Sequence, residues 1–419
     1  MLPSSRFAPL PPFSTPVTGG VTAPRGFRAA AVGSGVKRRG KLDLALLFSD
    51  HPAVSAATFT RNAAAAAPVR LSRETSDCGR LRGVVINAGN ANACTGRQGL
   101  ADAARMRLLA AHGLRLPVEQ VAVCSTGLIG VPLPMDRIEA GIAAAARAVP
   151  SGTGVAAADR FAAAIRTTDR HAKTGALEVA VPEGEVKLGF AAKGCGMISP
   201  DMATMLCFVT CDAVMDVERW ARLLHDAVDR SFNRITVDGQ ESTNDTVVGL
   251  CNGASGVEPG EEGVERLGET LDAALLALAL SIVADGEGST RVMKLAVTGA
   301  EDVARAEAVA RAIANSPLVK TAFYGRDPNW GRIMQAIGQA LGPDGRGHLP
   351  ARIAYEDVVI VDQGRPVATD EDRRGRLAEI MRQPEIGLTV TLNGASASAT
   401  VYFSDLTHDY VTLNAEYST

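Results

Sequence analysis

Aromatic residues make up only 4% of this 419-residue chain, and histidine occurs six times. So few aromatics argue against the base-stacking platforms of single-strand binders. The 43 basic and 46 acidic residues leave a net charge of −3, which excludes the basic footprint of a nucleic-acid partner. No uninterrupted apolar run reaches the roughly 18–20 residues of a membrane span. The N-terminal twenty residues, MLPSSRFAPLPPFSTPVTGG, are Pro-rich and lack a signal-type apolar core. They read as an extended tail. The seven cysteines are odd in number, scattered and mostly set in apolar runs. That usage fits a reducing, cytoplasmic setting. Cys207 and Cys211 have no second pair or histidine at ligand spacing, so no metal is expected. All seven read as small buried hydrophobes. Neither His171 nor His225 sits in a triad motif.

What is present is length enough for two or three domains with an ample core, and an apolar share of 46% that is ordinary for a globular chain. Short apolar runs bounded by turn formers predict strands at Leu42–Phe48, Val84–Ile86, Val121–Cys124, Leu188–Ala192 and Met205–Cys211. Three more are predicted at Val358–Val361, Gly387–Leu392 and Ala397–Phe403. Helical spacing predicts helices at Ala101–Gly113, Met135–Ala148, Val217–Arg230, Leu271–Ile282 and 301–315. Without regular βαβ alternation the fold class is α+β rather than doubly wound. Linkers are expected at Pro150–Gly154, Gly256–Glu262 and Gly342–Gly347.

The most informative stretch is Lys193-Gly194-Cys195-Gly196-Met197-Ile198-Ser199-Pro200-Asp201-Met202-Ala203-Thr204-Met205-Leu206. A glycine loop runs into a small residue, a threonine and an apolar strand. Cleavage between Ala203 and Thr204 would place a hydroxyl nucleophile and a free α-amine, its base, on one residue. Such an amine titrates near ~7.7–8.0, so no side-chain base is required. Gly194 and Gly196 permit the unusual dihedrals that an N→O acyl shift needs. The alternative is a strand threonine packed among Met202, Met205 and Leu206.

Ser125-Thr126-Gly127-Leu128-Ile129-Gly130 follows a strand and opens a glycine turn. The Thr126 hydroxyl and the Gly127 N–H can form an oxyanion hole, each donor worth ~3–4 kcal/mol; an ordinary strand-to-helix turn is the other reading. The Asn- and Gly-dense run 87–96 makes hydrogen-bonding turns and lacks the Gly-Lys-Ser/Thr of a phosphate loop. It is expected to shape the site. Lys193 can meet a carboxylate or oxyanion charge. Thr167-Thr168-Asp169 and Glu287 say little alone. The run Asp238–Asp245 is too polar for a simple turn and suggests a structured loop near the site.

Together these segments resemble the ornithine acetyltransferase family, the glutamate N-acetyltransferases of arginine biosynthesis. Further matches are Gly20–Phe27, Asp327-Pro328-Asn329-Trp330-Gly331-Arg332 and the end Asn414–Thr419. The resemblance runs nearly end to end. It implies a layered α/β sandwich with a smaller C-terminal α+β domain from about 290 to 419. It implies self-cleavage into an α chain ending at Ala203, with its loops from residue 21 on, and a β chain 204–419, assembled as an α2β2 heterotetramer. Thr204 is then the acetyl acceptor, Thr126 and Gly127 the oxyanion donors, and Thr168, Lys193, Glu287, Asn414 and Thr419 substrate contacts. Thr167 competes with Thr168. The implied reaction is ping-pong, from N2-acetyl-L-ornithine through acetyl-Thr204 to L-glutamate, with no cofactor. Some family members also take acetyl from acetyl-CoA, and no motif here decides that. Asp201 stands where Asn is common in the family, and Arg291 where Lys is. The rival from another class is a self-processing aminopeptidase or amidase, in which water takes the acyl group; a third reading is an uncleaved, non-catalytic scaffold.

Overall fold

A computed structural model describes residues 2–37, 40–199, 205–342, 349–368 and 370–416. The chain forms two compact units. One comprises the chain up to Asn233 together with Glu241–Ile282; the other comprises Arg234–Gln240 and residues 283–416.

The first unit is built on two sheets. A four-stranded sheet takes the order Phe27–Val32, Leu44–Ser49, Gly83–Asn90, Val121–Leu128. Its strands are apolar on both faces, and alternation decides where each residue goes. Ala45, Leu47, Val84, Ile86, Ala122 and Cys124 point to an inner core. Leu44, Leu46, Val85, Val121 and Val123 point to an outer one with Ala103, Met106, Ile138 and Ile142. Those last four come from the helices Gly96–Leu114 and Met135–Ala148, which cover that face.

The second sheet has six strands: Ser14–Val17, Lys173–Val181, Gly184–Lys193, Leu206–Cys211, Thr246–Cys251 and Val54–Phe59, in that spatial order. Leu206, Phe208, Val248 and Leu250 meet the first sheet in the inner core, sealed by Phe161. Phe161 lies edge-on to Phe208, ring centroids 5.4 Å apart. On the other side the helix Val217–Arg230, capped by Asp216 on the Arg219 N–H, drives Trp220 against Gly249. A Cβ at Gly249 would stand 2.8 Å from Leu224 Cδ2, so only glycine lets the helix this close.

The second unit is a seven-stranded mixed sheet, centred on Val292–Ala300 between Glu385–Thr391 and Ala397–Ser404. The helices Val303–Ala314 and Trp330–Leu341 share its core. The Asp327–Arg332 run makes a helix start: the Asn329 side chain caps the Arg332 N–H at 3.1 Å. The chain is thus α+β, as expected.

Three expectations change. Residues 14–17 are no loose tail: Ser14–Val17 pairs antiparallel with Ala176–Val179, fixed by a Ser14–Thr270 hydroxyl contact of 2.7 Å. The apolar helix begins ten residues before Leu271, running Glu261–Ala284, because its first turns are charged and amphipathic. By length and mean hydropathy it could cross a membrane, yet most of it is buried inside the protein, with Leu271, Leu275 and Leu278 fully covered. The cysteines are free but not uniformly buried: Cys94 is exposed and Cys78 half-buried, since both lie in loops rather than strands.

Candidate active site

Thr126 and Lys193 come from different sheets of the first unit. Thr126 lies near the end of Val121–Leu128, and Lys193 closes Gly184–Lys193. Each is 2% exposed. The Lys193 Nζ donates to Thr126 Oγ1 at 3.2 Å. An ammonium has donors only, so the threonine oxygen must accept, and its own proton stays available for another acceptor. Lys193 is therefore buried rather than solvated, in keeping with its apolar sequence context.

Ser125–Gly130 is not a plain turn. The strand continues through Leu128, and the register shifts at Asn90 opposite Thr126 and Leu128. Such a bulge re-aims side chains at a strand end. Gly127 is obligatory there: its φ is +133°, and a Cβ would lie 2.3 Å from the Gly89 carbonyl carbon.

The Asn-rich run holds this strand end in place. Ser125 Oγ donates to Asn87 Oδ1 at 2.6 Å, Asn87 Nδ2 to the Asn90 carbonyl at 2.8 Å, and Asn90 Nδ2 to the Val131 carbonyl at 3.0 Å. From the polar 238–245 run, Asn244 Nδ2 reaches the Ala91 and Ser125 carbonyls at 2.7 and 2.9 Å.

A buried charge cluster underlies Lys193. Asp169 Oδ1 accepts from Lys173 Nζ at 2.8 Å and from the Gly194 N–H at 2.7 Å. Its Oδ2 accepts from the Thr167 N–H at 3.0 Å. Both side chains of the Asp169–Lys173 pair are fully covered. Burial works against the Asp169 charge, but Lys193, Lys173 and the Gly194 N–H outweigh it and hold the carboxyl below the usual carboxylate range. Nearby, burial foremost, helped by the Lys193 charge, lowers Lys37 to about 8. The Cys195 thiol is pushed up to about 12, chiefly by burial, so it stays an inert thiol.

Thr168 is exposed, its hydroxyl 2.9 Å from Cys195 Sγ. Glu287 and Asn414 belong to the second unit, where Asn414 Nδ2 donates to Glu287 Oε2 at 2.9 Å. Ala203, Thr204 and Thr419 lie outside the described residues. Met205, which follows Thr204, donates its N–H to Asp245 Oδ1 at 2.8 Å. Asp169, Lys173 and Asp245 were not singled out from sequence. The polar runs that contain Asp169 and Asp245 were the only signal; Lys173 lies only four residues from Asp169, but the Gly194 and Met205 partners lie 25 and 40 positions away. No group of three or more His, Cys, Asp or Glu arranged to hold a metal occurs among the described residues.

A threonine hydroxyl on a covered strand end, held beside a buried cation, is an arrangement that can meet a developing negative charge. A model of the ArgJ family matches residues 28–419. An arginine biosynthesis bifunctional protein ArgJ from Geobacter sulfurreducens is 45% identical over 401 residues, covering 94% of this chain and 99% of that one. One from Symbiobacterium thermophilum is 44% identical over 408 residues, covering 96% and 99%. A crystal structure of ornithine acetyltransferase complexed with ornithine, from Mycobacterium tuberculosis, matches at 42% identity and a TM-score of 0.40, covering 45% of this chain and 98% of that one. The chain belongs to the ArgJ family.

Proposed function

We propose that this chain is a self-cleaving acetyltransferase of arginine biosynthesis, moving acetyl from N2-acetyl-L-ornithine to L-glutamate through an ester on Thr204. Family membership supports the transferase over the aminopeptidase reading. Thr204 Oγ attacks the acetyl carbon while the Thr204 α-amine takes its proton. The tetrahedral oxyanion is met by the Thr126 hydroxyl and the Gly127 N–H. The C–N bond then breaks, and the leaving nitrogen of ornithine takes the proton back. Glutamate's amine attacks the ester by the same steps in reverse. The acetyl group rests on the enzyme between half-reactions, so no cofactor is required. The relatives are named bifunctional, and acetyl-CoA is the proposed donor for the second activity. We further assign Thr168, Lys193, Glu287, Asn414 and Thr419 to substrate, an α2β2 assembly of cleaved chains, and a cytoplasmic setting.

The observation that carries the reading is the Lys193–Thr126 bond. It occupies one lone pair of the threonine oxygen, leaving the O–H to donate elsewhere beside a cation. Intact mass under denaturing conditions, with sequencing of any new N-terminus, tests the cleavage. Two fragments are expected, the second beginning Thr204-Met205-Leu206. Thr204→Ala should give one uncleaved chain with no glutamate-dependent release of ornithine from N-acetylornithine. Full transfer by that variant would overturn the mechanism. Release of free CoA thiol from acetyl-CoA and glutamate reports the second activity.

A further inference from the structure

Asp43 is fully buried, and the loop that precedes it wraps around its carboxylate. Oδ1 accepts from the Ser34 N–H at 2.6 Å and from the Ser34 hydroxyl at 2.8 Å. Oδ2 accepts from the Gly35 N–H at 3.1 Å and from the Lys37 N–H at 2.9 Å. The Asp43 carbonyl takes the Ala88 N–H at 2.8 Å, which anchors the loop to the strand Gly83–Asn90. Lys37 thereby falls beside Gly89, where pairing with the strand Leu44–Ser49 has ended. A Cβ on Gly89 would stand 3.0 Å from Lys37 Cγ. On its other side Gly89 pairs with Gly127. Gly89 thus lies between the Lys37 stem and the Thr126–Gly127 strand end.

The ammonium is fixed as well as the stem. Lys37 Nζ donates to the Leu42 and Ala164 carbonyls, each at 2.9 Å. Ala164 ends the helix Gly154–Ala164, and a cation suits the negative end of a helix dipole. Two carboxylates act on this ammonium, and both are engaged by other donors. Asp43 holds the loop N–H groups and the Ser34 hydroxyl; Asp169 holds Lys173 and the Gly194 and Thr167 N–H groups. Two cations face it, Lys193 from its strand end and Arg166 from the loop after Ala164. On its own loop, Lys41 is exposed. Burial above all lowers Lys37 to about 8; Asp43 and Asp169 oppose this, and Lys193 and Arg166 add to it. An ammonium held on carbonyls among other cations leaves positive charge to answer a negative charge that arrives later.

We propose that Lys37 is a positioning residue for acetyl transfer: together with Lys193 it is a second cation, held behind the Thr126–Gly127 strand end, whose field favours the oxyanion formed there. This rests on the oxyanion role proposed above for those two donors. Lys37 acts through them, and its proton stays on nitrogen throughout. The contribution is present while Lys37 is charged and is lost as pH rises through about 8.

Lys37→Gln keeps N–H donors for the Leu42 and Ala164 carbonyls but removes the charge. With N-acetylornithine and glutamate at neutral pH, kcat is expected to fall about tenfold with KM little changed, the order expected of a unit charge acting across a covered site. Lys37→Arg keeps the charge and should recover most of the loss. The profile of kcat/KM against pH separates charge from structure. In wild type it should decline above about 8 as Lys37 loses its proton. In Lys37→Gln that decline should be absent, so the two curves converge in alkali. A merely structural lysine would lower the curve alike at every pH. Wild-type kcat in Lys37→Gln, or a curve parallel to wild type, overturns the proposal. Wild type alone gives a test that needs no variant to fold: a kcat/KM that never declines in alkali overturns it as well. If Thr126→Val also transfers at the wild-type rate, the oxyanion role itself fails. A slow Thr126→Val beside a wild-type Lys37→Gln sinks only the role of Lys37.

Discussion

The two polar constellations on this chain are built in opposite ways. In the first unit Thr126, Lys193, Asp169 and Lys173 are all buried, tied to strands and to one another. In the second, Glu287 is half-buried and Asn414 exposed, joined by one side-chain contact at a helix end. The first arrangement costs desolvation, which charges regain only through good geometry and added hydrogen bonds. In return it is rigid before any ligand arrives, as donors to a developing oxyanion need to be. The second can adjust to a ligand but contributes little until one binds. The roles proposed above would keep chemistry on strands and recognition on a helix end.

That contrast can be tested by breaking each side. The largest loss is expected for Lys173→Met, which leaves Asp169 without its ion-pair partner. Removing one member of a buried pair typically costs about 3–5 kcal/mol, readable as a lower urea midpoint. The sign with pH follows from Asp169, whose folded pKa lies below its ordinary 3.8. Its stabilisation is complete above that value and is lost as pH falls toward the folded pKa. Removing Lys173 moves the folded pKa of Asp169 up, so Lys173→Met, though less stable at neutral pH, should lose less further stability than wild type as acid is added through that window. If its acid unfolding profile matches wild type, the cluster is not the stabilising element.

Thr126→Val keeps the shape and removes the hydroxyl. A lost oxyanion donor typically lowers kcat by about 10²–10³-fold. Single-turnover acetylation by N-acetylornithine measures it, and a loss confined to KM would contradict the role. Asn414→Ala should act more weakly, raising KM severalfold with kcat near wild type; a hydrogen bond of this kind is worth about 0.5–1.5 kcal/mol. An equal drop in kcat would place it with the chemistry instead.

A further test separates the two units by pH. Lys320 in the second unit is buried, and burial lowers it from 10.5 to about 8. The folded state disfavours its charge, a penalty present below about 8 and relieved as pH rises toward 10.5. Stability should rise across that window in wild type, and Lys320→Met should flatten the rise.

Legibility in the sequence followed the range of the interactions. The helices Met135–Ala148 and Val217–Arg230 match the predicted bounds residue for residue, because amphipathic spacing and, at Asp216, a cap are local signals. The strand Thr246–Cys251 and the helix Glu371–Ile380 went unpredicted. One sits beside a polar run, and the other is mostly charged. At Ser125–Gly130 the glycines signalled a turn, but pairing with Gly83–Asn90 carried the strand on to Leu128. Thr126 and Lys193 were legible as residues, whereas their mutual bond and the Asp169 cluster were not. Contacts across 67 or 25 positions leave no local pattern.

In the six-stranded sheet, Leu206–Cys211 lies between Gly184–Lys193 and Thr246–Cys251, with Val54–Phe59 at the edge beyond. Cleavage before Thr204 would give two of these strands to each product, interleaved through one continuous ladder. The boundary between the products would then be a domain core rather than a docking surface. Neither half would hold the six-stranded sheet by itself. Co-expressed halves would have to meet while still unfolded, and dilution would not part a mature pair.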